Sequence, residues 1–190
     1  MPSNESLASP DSLPIRKDDL VVIVVETPRG SRNKLKFEPE LGAFRLDRTL
    51  PPGMAFPFDF GFIPQTKAED GDPLDVIVLV DGPSYPGTVV FGQLIGVIEI
   101  EQQDGGEGPW QRNDRLVAVV GGPKGHAPAR SLDDIDPFRI QAIGAFFKAY
   151  HELDGDGVRV TGQGDARAAE AALEKAHEAH NEAAKGSPKR

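Results

Sequence analysis

At 190 residues the chain has the length of one ordinary domain, enough for a sizeable core without metal or disulfide staples. It contains no cysteine, which excludes a disulfide framework, a thiolate metal site and a thiol nucleophile. Thirty acidic against twenty-one basic residues give a formal charge of −9, which argues against a nucleic-acid partner and repels anionic ligands unless local cations reverse the field.

The N-terminal stretch MPSNESLASPDSLP is polar and lacks a basic segment followed by an apolar one, and residues 1–16 read as a disordered tail. No apolar run approaches the roughly twenty residues of a membrane span, so the expectation is a cytoplasmic protein with no membrane contact. DLVVIVVE has the pattern of a buried strand, and after the turn TPRGSRN the segments KLKFE and AFRLDR alternate as a strand pair. DVIVLV, GTVVFGQLIGVIEI and RLVAVV follow as β-branched runs separated by Gly, Pro and Asp.

Helical signals come late. DPFRIQAIGAFFKAYHEL opens with Asp136 as N-cap and Pro137 at the first helical position, and places Ile140, Ile143, Phe147 and Tyr150 on one face. DARAAEAALEKAHEAHNEAAK, dense in alanine and glutamate, begins at Asp165 and stops at Gly186. The expected class is α+β, mainly β: a small closed or nearly closed barrel with helices outside, because closure removes exposed strand edges. The expected organisation is a tail over 1–16, a barrel domain over 17–163 and a C-terminal helix and tail over 164–190.

The segment PQTKAEDGDPLDVIVLV puts Asp70, Asp72 and Asp75 within six positions. Carboxylates that close are costly unless cations neutralise them or protons are shared, and hard oxygen donors suit Mg²⁺, Mn²⁺ or Ca²⁺. An EF-hand is excluded, since Leu74 and Asp75 stand where a ligand and a glycine are needed. DGDP is also good turn chemistry, and spacing leaves a solvated acidic turn as an equal alternative.

The surrounding sequence resembles the soluble Mg²⁺-dependent inorganic pyrophosphatases of the barrel-fold family (family I). DGDPLD matches that family's aspartate signature, and VVETPRGSRNK, LDRTL, FPFDFGFIPQTKAEDGDPLDVIVLV, PGTVVFGQLIGVIEI, LVAVV and FFKAYHELDG fall in family order over most of residues 19–163. The resemblance implies a five-stranded OB-like barrel, hydrolysis of pyrophosphate to two phosphates, Mg²⁺ as cofactor with Mn²⁺ as a substitute, and a homo-oligomer, favouring a hexamer. It assigns Asp70 and Asp75 to the metal, Asp72 to general-base catalysis, Glu26 to metal-associated water, and Lys34, Arg48, Arg115 and Tyr150 to substrate phosphate. Alone, Lys34, Arg48 and Glu26 read as ordinary charges at strand ends and Tyr150 as a half-buried core residue.

Several positions depart from the family pattern. Lys36 stands where the family has a glutamate, Gln102 and Asn113 where it has aspartates, Arg115 and His151 where it has lysines, and Phe56 and Phe60 where it has tyrosines. Glutamate to lysine adds two charges, two aspartates to amides add two and lysine to neutral histidine removes one, leaving the site about three charges more positive than the family's. Glu101, Asp104 and Asp114 lie beside the lost aspartates and could replace them if the register differs. These departures motivate an alternative: a catalytically impaired relative that binds phosphate-containing ligands or a partner subunit.

Other signals carry less. HEAH, with His177 and His180, is one residue short of a zinc-protease motif and is expected on a solvated helix face. GGPKGHAPAR lacks P-loop spacing, DGDG at 154–157 reads as a turn, and LDDID at 132–136 as helix-start chemistry. Trp110, alone in a polar loop, is uninformative.

Overall fold

The computed structural model describes residues 8–103, 105, 107–121 and 129–186. Strand β1 (Arg16–Lys17) leads into β2 (Leu20–Thr27), followed by a hairpin of β3 (Asn33–Glu38) and β4 (Ala43–Thr49). Then come β5 (Asp59–Phe62), β6 (Asp75–Leu79), the long β7 (Val89–Gln103), the short β8 (Gln111–Arg112) and β9 (Arg115–Val120). Helix α1 (Pro137–Glu152), strand β10 (Gly157–Asp165) and helix α2 (Ala166–Gly186) complete the order.

Strands β2, β5, β6, β9 and β7 form a closed ring. β2 pairs with β5, β5 with β6, β9 with β7 and β7 with β2, all antiparallel, while β6 and β9 run parallel. β7 serves two partners in the ring by bending, with a register shift between Leu94 and Gly96 on its β9 side. A Cβ at Gly96 would run into the Leu132 side chain and the Gly164 carbonyl, so only glycine allows β10 and the 132–134 turn to close over the bend. Gly61 meets the same demand in β5, where a Cβ would enter the Val24 carbonyl of β2.

The uninterrupted apolar runs of β6 and β9 follow from burial on both faces. Ile77, Leu79 and Val117 join one cluster with Phe146, Phe147 and Tyr150 of α1, while Val76, Val78, Leu116 and Ala118 join another with Ala169, Leu173 and Ala176 of α2. α1 starts as expected: the Asp136 carboxylate accepts from the Phe138 N–H at 2.9 Å and Pro137 is the first helical residue. Among the described residues no helix is long and apolar enough to cross a membrane.

Three expectations need correction. Within the stretch expected as a tail, residues 8–16 carry a 3-10 turn (Pro10–Ser12) and the start of β1, because Leu13 packs against Val24, Phe37 and Phe62 and Gln65 Nε2 donates to the carbonyls of Ser12 and Leu13. Residues 1–7 lie outside the described part, as do Asp104 and residues 122–128 of the Gly-rich loop. The boundary at 163 falls inside β10, a strand whose three glycines and weak alternation conceal it and which is held by its ladder with β7. Finally, the α2 face that carries HEAH is not simply solvated: Ala169 and Leu173 of the helix are fully buried, and His177 Nδ1 lies 2.8 Å from the Gln65 carbonyl, so that face is half-buried.

Leu173→Ala is therefore expected to cost about 2–5 kcal/mol, as a buried cavity does. Urea unfolding checks it, and a loss within about 0.5 kcal/mol, typical of surface changes, would show that α2 lies outside the cooperative core.

Candidate active site

The aspartate loop is a turn and a cleft wall at once. Gly71 adopts φ +94°, its N–H donates to the Ala68 carbonyl, and Asp72 N–H donates to Asp70 Oδ1 at 3.0 Å. Thr66 closes the loop's base, donating to the Ile63 carbonyl at 2.6 Å and accepting from Leu74 N–H at 2.9 Å. α2 buttresses the other side, where Lys67 N–H donates to the Ala176 carbonyl and Lys175 pairs with Glu69 at 3.0 Å. Asp70 and Asp72 thus project from a pinned turn, and Asp75 from the first residue of β6.

The β3–β4 hairpin forms the facing wall and is tied to the end of β2 by two side chains. Thr27 Oγ1 exchanges hydrogen bonds with the backbone of Leu35, and Glu26 Oε1 accepts from Phe37 N–H at 2.6 Å. That anchorage holds Lys34 and Lys36 toward the aspartates. Lys36 Nζ donates to Asp72 Oδ2 at 2.7 Å, and Lys34 Nζ lies 3.5 Å from Asp47 Oδ2 and 5.5 Å from the Tyr150 ring centroid.

The floor comes from β7, β9 and α1. Arg115, only 5% exposed, pairs with Asp75 at 3.0 Å and also donates to the Asn113 carbonyl and side-chain oxygens. Asn113 Nδ2 in turn donates to Gln102 Oε1 at 2.8 Å. Phe60 and Phe147 flank the guanidinium, and Phe56 packs on the ring of Tyr150. These walls enclose a cleft of about 360 Å³, lined among others by Glu26, Lys34, Asp70, Asp72, Asp75, Arg115 and Tyr150. Of the eight residues singled out from sequence, Arg48 alone is not in that lining; its guanidinium sits 4.8 Å from the Tyr150 ring centroid and pairs with Asp154 at 2.5 Å.

The positions that depart from the expected pattern share this cleft. Lys36, Gln102, Asn113, Phe56, Phe60 and His151 all line it. Of the neighbouring acids, Asp104 lies outside the described residues, and the two that are described do not replace the lost ones. Glu101 pairs with Arg159 at 2.6 Å, while Asp114 accepts from Arg112 Nε at 2.6 Å and from Ile100 N–H at 3.1 Å; neither lines the cleft.

Sequence reasoning missed Asp154, whose place in a Gly-Asp turn carries no sign of its pairing with Arg48. Trp110, uninformative in the sequence, carries the Arg159 guanidinium 4.2 Å from its ring centroid and lies outside the cleft lining.

Burial dominates the electrostatics. It pushes the Glu26 carboxyl up to about 7, against the opposing Phe37 N–H bond and with help from Asp75. It also raises Asp75, despite Arg115 and Lys34 pulling the other way. For Lys36 burial pulls downward, but the hydrogen bond and charge of Asp72 outweigh it and hold the ammonium above its ordinary value. His151 is lowered to about 4 by burial and by Arg115, so it is neutral at pH 7.

The same fold occurs in known proteins. The profile of the Pyrophosphatase family, described as inorganic pyrophosphatase, matches residues 23–181. The inorganic pyrophosphatase of Thermus thermophilus is 39% identical over 168 residues, 86% of this chain and 93% of that one. The chain belongs to the inorganic pyrophosphatase family. Its ring of five strands with two helices is the fold of that family. The crystal structure of the Thermus thermophilus enzyme superposes with a TM-score of 0.81 at 36% identity, covering 92% of this chain and 99% of that chain. An inorganic pyrophosphatase from Neisseria gonorrhoeae also gives 0.81, at 31% identity with the same coverage.

Two opposed pH effects on stability follow in metal-free buffer. Glu26, raised in the fold, favours the protonated folded form; its contribution is full below about 4.5 and is lost as pH rises through about 7. His151, lowered in the fold, contributes fully above about 6.5 and loses that contribution as pH falls toward about 4. Between these limits the two nearly cancel. Chemical denaturation across pH 4.5 to 6.5 should show stability rising with pH in Glu26→Gln and falling with pH in His151→Asn; identical slopes in both variants would refute the assignment.

Proposed function

We propose that the protein hydrolyses inorganic pyrophosphate to two phosphates with a divalent ion, Mg²⁺ in the first place and Mn²⁺ as a substitute. The observation that carries this is the convergence of Asp70, Asp72 and Asp75 with Lys34 and Arg115 in one cleft of a family member. Carboxylate oxygens are the donors Mg²⁺ takes. Among the described residues no three carboxylate or imidazole side chains close on one point, so the set fits an ion that keeps several of its own waters, as Mg²⁺ does, better than an all-protein cage. Asp70 and Asp75 would hold it, and the ion supplies positive charge against the phosphate oxygens and acidifies nearby water.

The remaining work falls to the chain. Asp72, at the cleft mouth, accepts a proton from the attacking water as its oxygen bonds to one phosphorus and the bridging P–O bond breaks. Glu26, buried and hydrogen-bonded by Phe37 N–H, orients water. Lys34 and Arg48, drawn together over the Tyr150 ring, carry the charge of the departing phosphate; Arg115 binds the other end, with the Tyr150 hydroxyl as a neutral donor. A homo-oligomer, a hexamer in the favoured case, and a cytoplasmic location belong to the same proposal and rest on the family resemblance; sedimentation of a monomer at micromolar concentration would refute the first.

A second reading is a phosphate-binding relative with weak turnover. It is favoured by the amide pair Gln102–Asn113 and by the phenylalanines at 56 and 60, which offer the cleft neither charge nor hydroxyl. Phosphate release from pyrophosphate decides between them. Wild type with Mg²⁺ should turn over, and Asp72→Asn should be slower by about 10²-fold or more, the usual worth of a positioned base; equal residual rates in both would leave only the binding role.

A further inference from the structure

We propose that Lys36 and Arg115 are the built-in counter-cations of this cleft, so that a diphosphate anion binds without any divalent ion, and does so by drawing Lys36 off Asp72. The inference rests on the cleft being a pyrophosphate site, and deepens that function by assigning the order in which charge enters it.

The two cation–carboxylate pairs differ in a way that gives each a separate job. Arg115–Asp75 is deep: the arginine side chain is 6% exposed, held by Asn113 and framed by Phe60 and Phe147. Breaking it would strand a buried charge, so it stays. Lys36–Asp72 is at the mouth, with side chains 39% and 58% exposed. An exposed pair of this kind contributes little and exchanges readily, and lysine carries its charge on a flexible stem. An arriving anion with several acceptor oxygens competes for Lys36 on favourable terms, because Lys34 and Arg115 already face the same space.

The wall behind supplies an independent sign of a missing acceptor. Arg115 Nε and the Tyr150 hydroxyl are both buried and have no hydrogen-bond partner. Buried donors left unmade are costly, and native proteins keep few of them. Phosphate oxygens are acceptors without donors and would relieve both. The adjoining amides add no negative charge to oppose the anion, since Asn113 spends its oxygen on Arg115 and its nitrogen on Gln102.

The exchange has a chemical consequence. While Lys36 holds Asp72, that carboxylate is unavailable to a water proton, and the ammonium, which also acts on Asp75, opposes a cation entering between Asp70 and Asp75. Transfer of Lys36 to the anion releases Asp72 at the moment substrate is present. Anion and divalent ion then bind synergistically, since one removes the competitor of the other.

Calorimetry with methylenediphosphonate, a diphosphate whose carbon bridge resists hydrolysis, tests this on the full chain in EDTA. Wild type should bind one equivalent per chain. Lys36→Met should bind roughly tenfold more weakly, the scale of one lost charge-assisted hydrogen bond, while Lys185→Met, a loss of the same charge in the exposed last turn of α2, should match wild type. Titration of Mn²⁺ followed by electron paramagnetic resonance, with no anion present, should show tighter binding by Lys36→Met than by wild type. Absence of binding in EDTA, or equal affinity of wild type and Lys36→Met, overturns the proposal. Failure of the hydrolase reading is seen separately: a protein that binds the diphosphonate in EDTA yet releases no phosphate from Mg²⁺-pyrophosphate keeps the built-in cations and loses the enzyme.

Discussion

Carboxylates gathered into one cleft repel one another, and nearby cations relieve that repulsion. In this molecule it is met by side chains of the protein. Arg115 rises from the start of β9 under Asp75, and Lys36 leans from β3 onto Asp72. Burial still lifts Asp75 and brings Glu26 to about 7, because both carboxyls are desolvated in spite of the cations near them.

The barrel makes the arrangement possible. Closing β2, β5, β6, β9 and β7 into a ring brings the end of β2 beside the starts of β6 and β9, although Glu26, Asp75 and Arg115 lie far apart in the chain. α1 then covers one buried face and delivers Tyr150, Phe147 and His151, while α2 covers another and props the aspartate loop. The two helices contribute in different ways: one lends side chains to the cleft, and the other fixes the backbone that presents the acids.

Much of this was legible along the chain, for reasons that can be named residue by residue. The runs VVIVV and DVIVLV announce strands buried on both faces, and Asp136–Pro137 announces a helix start, because local pattern and local capping are written in adjacent residues. The aspartate cluster was visible for the same reason, and it folds as a turn that also lines the cleft. β10 was hidden because a glycine-rich strand has little propensity of its own and exists by pairing with β7. The order in residues 8–16 was hidden because it comes from Gln65, fifty residues away, and from burial of Leu13. Asp154 was hidden because an acid in a Gly-rich turn looks the same whether or not an arginine stands across from it.

By itself, then, the sequence determined which segments become strands and helices, which faces are apolar, that the chain has the motifs of its family, and that several charges in those motifs differ. Those properties are set by neighbours a few residues apart. Only the tertiary structure decided that Gln102 and Asn113 face the cleft while Glu101 and Asp114 are engaged outside it, and that Lys36 and Arg115 are the cations that meet Asp72 and Asp75. The physical reason is that electrostatic partnership depends on distance through space and on exclusion of water, and both are created by the closing of the barrel.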